Sequence, residues 1–185
     1  MRYAKILIIA LVCIISTGCL VPSINPFYKT DNLVYDKSLV GTWVDPDEEG
    51  SLWTFKKSGP LSYTLYATDN NELSSFEAHL FQIQNLYFID LYPMESYTKS
   101  DFYNSHLIPA HTVYSVILDE DKLVAHELNY EWFNGQAKNG KIKIEYFQND
   151  DMYFLTDATE QLQQFILQNY NDCFGGEEII LVKLH

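Results

Sequence analysis

"FEAHLFQIQNLYFIDLYP", residues 76 to 93, decides the fold. Its two halves, "FEAHLFQI" and "LYFIDL", are short apolar segments rich in aromatic and branched residues. A polar break of a few residues separates them, and that grammar is of two antiparallel strands joined in a hairpin. The pattern continues in both directions. Toward the N-terminus lie "SYTLYA", "SLWTF" and "GTWV", separated by the turn clusters "TDNNE", "KKSGP" and "DPDEEG". Toward the C-terminus come "HTVYSVIL", "KLVAHEL", "KIKIEYF" and "MYFL", with "DED" and "QNDD" as turns. In "KIKIEY" the period of two sets Ile142, Ile144 and Tyr146 on one side and Lys143 and Glu145 on the other. The sequence predicts about eight strands, and "NYEWFNG" fits a strand or a helical turn equally.

One helix follows. Asp157 and Glu160 have capping-box spacing. Leu162, Phe165, Ile166 and Tyr170 then share one apolar face, which predicts packing against a sheet or barrel wall. "FGG" ends the helix and "EEIILVKL" supplies a last strand. Eight meandering strands in one domain favour closure, because a barrel leaves no unpaired edge. The expected fold is therefore mainly β, an antiparallel barrel with one C-terminal α-helix outside it.

This order of strands, helix and final strand resembles that of the lipocalins, and Gly41-Thr42-Trp43 resembles the Gly-x-Trp motif on their first strand. In that family the Trp closes the barrel floor against an Arg from the final strands. This chain has Lys183 as the basic residue of its last strand. "LVGTWV", "FEAHLFQIQNLYFIDLYP", "HLIPAHTVYSVIL" and "LTDATEQLQQFI" are also similar to a group of uncharacterised bacterial lipocalin-like proteins, over most of residues 38 to 184. That similarity implies the fold and no particular activity.

The N-terminus reads differently. Arg2 and Lys5 precede the uncharged run Ile6 to Ile15, followed by Ser16, Thr17 and Gly18: the three parts of a secretory signal peptide. The apolar run is about half the length needed to span a bilayer. Ser16-Thr17-Gly18-Cys19 resembles the lipobox of bacterial lipoproteins, with Ser16 where Leu is usual. The resemblance implies cleavage between Gly18 and Cys19 and a diacylglycerol on the Cys19 thiol, so that residues 1–18 are lost, 19–36 form a lipidated linker and 37–185 the barrel domain. Acyl chains, two or more for stable attachment, then anchor the protein to the cell envelope. Leu20 follows the cysteine, not the Asp that retains lipoproteins of enteric bacteria in the inner membrane. In a host with two membranes the analogy implies the outer one.

Charge excludes several partners. The formal charge of −13 becomes −15 once Arg2, the only arginine, leaves with Lys5. Such a domain repels nucleic acid and anionic lipid headgroups, so attachment must come from the acyl chains. Cys13 leaves with the signal, Cys19 is lipidated, and Cys173 has no partner for a disulfide; it reads as a packing residue.

Motifs for chemistry are absent or incomplete. "AHELNY" begins like a zinc-protease helix but has Tyr130 where the second His belongs, and it reads as a strand. "DPDEEGSLWTFK" begins like a calcium loop but ends on Lys56 instead of a bidentate Glu. His79, His106 and His111 have no short ligand spacing, so no metal or cofactor is expected. Asp90, a carboxylate inside the apolar "YFIDLYP", must be partnered, protonated or turned to solvent. Residues 92–110 form a long aromatic connection, with Tyr92, Tyr97, Phe102 and Tyr103, suited to a lid, a docking surface or a plain cover over one open end of the barrel.

The leading expectation is an envelope lipoprotein whose barrel carries a small apolar ligand, with Trp43, Asp90, Tyr103 and His111 as candidate contacts. The alternative is an envelope protein that contacts other proteins and whose barrel is filled by its own side chains. An enzyme ranks last, since no nucleophile or acid–base pair is visible, unless His79, Asp90 and His111 converge in a cleft.

Overall fold

The computed structural model describes residues 20–48, 50–69, 72–94 and 108–185. Ten strands form. β1 (Gly41–Val44), β2 (Leu52–Lys57), β3 (Tyr63–Asp69), β4 (Glu72–Ile83), β5 (Leu86–Pro93), β6 (Thr112–Leu118), β7 (Lys122–Glu127) and β10 (Ile179–Lys183) close an antiparallel barrel. Its order is β1-β10-β7-β6-β5-β4-β3-β2, a meander in which only β10 arrives from a distance. The stretch that opened the sequence is its longest hairpin. Ile83 pairs with Leu86 across a two-residue turn, and Gln84 there adopts a φ of 57°, a left-handed conformation usually left to glycine.

Between β7 and β10 lies an outer layer: helix α1 (Tyr130–Lys138), the hairpin β8 (Tyr146–Asn149) and β9 (Met152–Leu155), and helices α2 (Thr159–Gln168) and α3 (Tyr170–Cys173). The undecided "NYEWFNG" is therefore helical. The Asn129 side chain accepts from the Trp132 N–H at 3.0 Å and caps α1.

Several details differ from the sequence reading: three α-helices stand where one was expected, and Tyr170 begins α3 instead of lying on α2. Residues 141–145 are not a strand: β8 begins only at Tyr146, where Leu155 pairs with it. Ile144 still points into the core, with Ile142 and Tyr146 packed beside it. The alternation thus marked burial correctly, but a strand also needs a partner. The capping box is absent as well. The N-cap of α2 is Ala158, Asp157 accepts from the Glu145 N–H at 2.9 Å, and Glu160 lies 3.7 Å from Lys29.

The chain builds two cores on opposite faces of one wall. Inside the barrel are Leu39, Trp43, Phe55, Tyr63, Leu65, Leu80, Ile89, Val116, Leu123 and Leu181. Outside it, Phe81, Phe88 and Val113 pack with Val21 and Phe27 and with Phe133, Tyr153, Phe165, Ile166 and Phe174 of the outer layer. Successive strand residues point to opposite faces, so β4 to β6 are apolar on both.

The stretch expected as a linker belongs to this outer core. Ser23 exchanges two 2.8 Å backbone hydrogen bonds with His111, the Ile24 N–H donates to Leu155 O, and the Leu155 N–H donates to Pro22 O. Val21, Ser23 and Phe27 are buried. Among the described residues no helix is long and apolar enough to cross a membrane.

Candidate functional site

The two ends of the barrel differ. At one end β2–β3, β4–β5 and β6–β7 turn tightly, and the 3-10 turn Lys37–Leu39 tucks Leu39 under the floor. Trp43 is buried there and its indole N–H donates to Leu39 O at 2.9 Å. Lys183 Nζ lies 5.0 Å from the Trp43 ring centroid and also donates to Ser38 O. The lysine of the last strand thus covers the tryptophan, a cation–π contact where the lipocalin resemblance implies an arginine. Gly41 makes room for it: a Cβ on that residue would lie 2.8 Å from Lys183 Cε, and its φ is +139°.

The other end carries the β5–β6 connection, of which residues 95–107 lie outside the described residues. A cavity of about 230 Å³ opens there, lined by Trp53, Leu65, Ala67, Phe76, Leu91, Tyr114 and neighbours that include Leu20. Trp53 and Tyr114 meet edge to face at 5.6 Å and form its base, above the Trp53–Phe55 and Phe55–Tyr63 contacts. Small residues, Ala67 and Ala110, leave the space. The volume lies below the roughly 300 Å³ at which drug-sized pockets begin, so it suits a narrow apolar group.

Glu127 stands beside the cavity-lining Tyr114 at this end, without lining the cavity itself. It follows Leu123 and Ala125 on the inward phase of β7 and is the register partner of Tyr114. Burial raises its carboxyl pKa, and the nearby Glu177 raises it further. Burial, with Glu127 adding to it, likewise raises the Tyr114 phenol. Both shifts have the same origin, a partly dry mouth with excess negative charge. Neither residue was singled out from the sequence, although the alternation in "KLVAHE" already sets Glu127 in phase with Leu123.

The four expected ligand contacts separate. Trp43 is in the floor. Asp90 and His111 meet, but on the outer wall, facing away from the barrel interior that Ile89 and Leu91 occupy. Tyr103 lies outside the described residues, as does most of the 92–110 connection. Asp90 is fully buried, accepting from the Phe27 N–H at 2.8 Å and lying 2.7 Å from His111 Nδ1. His79 is its register partner on β4.

The histidine pair and the aspartate therefore do converge, under a roof. Tyr28 stacks on His79 at 4.3 Å, and Tyr92 leans on His111 at 4.6 Å. Burial lowers the His79 pKa and His111 lowers it further, against Glu77 and Asp90. In this geometry Asp90 is a latch, holding the N-terminal segment to the wall through the hydrogen bond that it accepts from the buried Phe27 N–H.

Among the described residues no group of three His, Cys, Asp or Glu side chains is placed to hold a metal. Cys173 is buried, and burial pushes its thiol up to about 12, so it stays protonated at neutral pH. The chain matches no protein-family model, no curated protein and no solved structure.

Proposed function

We propose that this protein is a lipid-anchored lipoprotein of the cell envelope, in the outer membrane of a host with two, whose lipocalin-like barrel carries a small apolar molecule at its mouth without transforming it. One observation supports the carrier reading above the others: the apolar cavity that the described residues form at the β5–β6 end of the barrel, with Trp53 and Tyr114 at its base. Anchoring rests on the resemblance of residues 16–19 to a lipobox. The absence of catalytic function is inferred from a protonated Cys173 and a roofed His79–Asp90–His111 cluster.

Native mass spectrometry of protein released from its host's membranes tests both parts. The expected result is a chain starting at an acylated Cys19, with an added mass that leaves on denaturation. A bare Cys19 removes the anchor, and a lipidated chain with no added mass removes the carrier. A second reading is favoured by the tight filling of the lower barrel by Trp43, Phe55 and Tyr63. There the barrel is a solid support and the protein acts by contact with other envelope proteins. Enlarging Ala67 to Phe separates the two, since it fills the mouth and abolishes cargo without touching an outer contact surface.

A further inference from the structure

We infer that the barrel mouth faces the bilayer that anchors the protein, and that its cavity takes an acyl chain of an amine-headed or uncharged lipid from that bilayer. The inference rests on the lipoprotein reading above and concerns orientation and cargo class.

A flexible linker spanning residues 20–36 would let the domain wander by about 20–25 Å and would fix no orientation. This linker does not behave so. Pro22 to Ile24 are bonded on one side to His111 and on the other to Leu155, Phe27 is tied to Asp90, and Leu33 bridges to Phe81. Freedom ends at Val21, which is only 2% exposed. The preceding residue, Leu20, already lines the mouth cavity. Cys19, the expected lipidation site, is the residue before Leu20 in the sequence. Acyl chains attached there reach the membrane from the rim of the barrel, so the mouth lies at headgroup level.

The rim decides the headgroup. Asp45, Asp47 and Glu48 follow β1, Glu72 opens β4, Glu127 closes β7, and Glu177 and Glu178 precede β10. No lysine flanks the mouth end of a strand among the described residues. An anionic lipid or a fatty acid would meet these carboxylates at close range, whereas an ammonium would be attracted by them. The cavity itself, apolar and small, fits part of one chain and not a headgroup.

The three tryptophans make the test direct: Trp53 lines the mouth, Trp43 is buried in the floor, and Trp132 sits in the outer layer. The lipidated full chain is reconstituted in vesicles of phosphatidylethanolamine and phosphatidylglycerol in equal parts. In each sample one of the two lipids, and not the other, is brominated along its chains. Tryptophan emission should fall with the brominated ethanolamine lipid, and the loss should persist in Trp132→Phe and vanish in Trp53→Phe. A nitroxide on Ala110→Cys, also on the rim, should show the same membrane exposure and covers the case in which Trp53→Phe folds poorly. Lipidated protein whose Trp53 stays bright and whose rim label stays in water overturns this inference alone. The same holds if its own anchor chain fills the cavity and keeps brominated chains out, or if the glycerol lipid quenches equally. An intact mass with bare Cys19 overturns the lipoprotein reading as well.

Discussion

The β2–β3 wall and the β4–β6 wall belong to one barrel but carry different outer faces. Outside β2 and β3 stand Thr54, Lys56, Thr64, Tyr66 and Thr68, half-buried or exposed. Lys56 shields its neighbour by lying 4.9 Å over the Tyr66 ring. Outside β4 to β6 stand His79, Phe81, Phe88, Asp90, Val113 and Ser115, all buried. An antiparallel sheet with one wet face needs alternating residues, whereas a sheet covered on both needs apolar residues at nearly every position. Half of this barrel is therefore a middle layer. Its interior rows face the barrel core, and its outer rows attach the N-terminal segment.

The strongest test of this division removes the centre of the outer core. Phe133 is fully buried, with the rings of Tyr153 at 5.2 Å, Tyr146 at 5.6 Å and Phe165 at 6.1 Å. Phe133→Ala should cost about 3–5 kcal/mol. Because Phe81 and Phe88 belong to both the barrel wall and the outer core, denaturation read by Trp132 and by the barrel tryptophans should give one coincident transition. Two separate transitions would make the outer layer an independent appendage.

Asp90→Ala comes next. It strips the acceptor from the buried Phe27 N–H and from His111, and an orphaned buried donor costs about 1–3 kcal/mol. Limited proteolysis should then cut within residues 20–33 before anything else, while barrel tryptophan emission is retained. Equal loss of both would show that the segment is not held by this latch.

A third change works on the floor. Lys183→Met removes the cation over Trp43, a contact worth about 0.5–2 kcal/mol, and should lower the melting temperature without altering cargo at the far end. Retention of full stability would mean that packing alone closes the floor.

How much of this was legible follows from the range of the interactions. The strands of β4 to β7 and the last strand could be read because alternation and turn chemistry are local. The helical state of 130–138 was not, since Asn129 as a cap and Gly135 inside the helix leave local preferences balanced. Asp90 stood out as a carboxylate among apolar residues, yet its partners, Phe27 and His111, lie 63 and 21 residues away. No pattern in "YFIDLYP" says what covers that face. Leu20 at the cavity rim was equally hidden, because its place depends on bridges that Ser23 makes to His111 and Leu155.

His79 offers a gentler probe of the covered wall. Burial makes its folded state reluctant to charge, so its pKa there is below the ordinary 6.5. Stability is then complete above that value and declines as pH falls through it, where the unfolded chain binds a proton that the folded one refuses. His79→Gln should flatten this part of the melting-temperature profile between neutral and mildly acidic pH. An unchanged profile would place the acid sensitivity elsewhere.

The smallest effect addresses the open end. Glu127 has a folded pKa raised above its ordinary 4.5 by burial and by Glu177, so its charge opposes folding. That penalty is fully present above the folded pKa, fades as pH drops through it, and is absent below 4.5. Glu127→Gln should therefore raise the melting temperature slightly at neutral pH, and the difference from the parent should close on acidification. The covered wall and the mouth would then respond to acid with opposite signs, His79 losing stability where Glu127 gives some back. A carboxylate kept at a stability cost is what an amine-selecting rim requires, and the same variant should bind less of the brominated ethanolamine lipid. If Glu127→Gln destabilises at neutral pH instead, the carboxylate has a favourable partner within the chain, and the mouth loses its claim to hold charge in readiness for a cation.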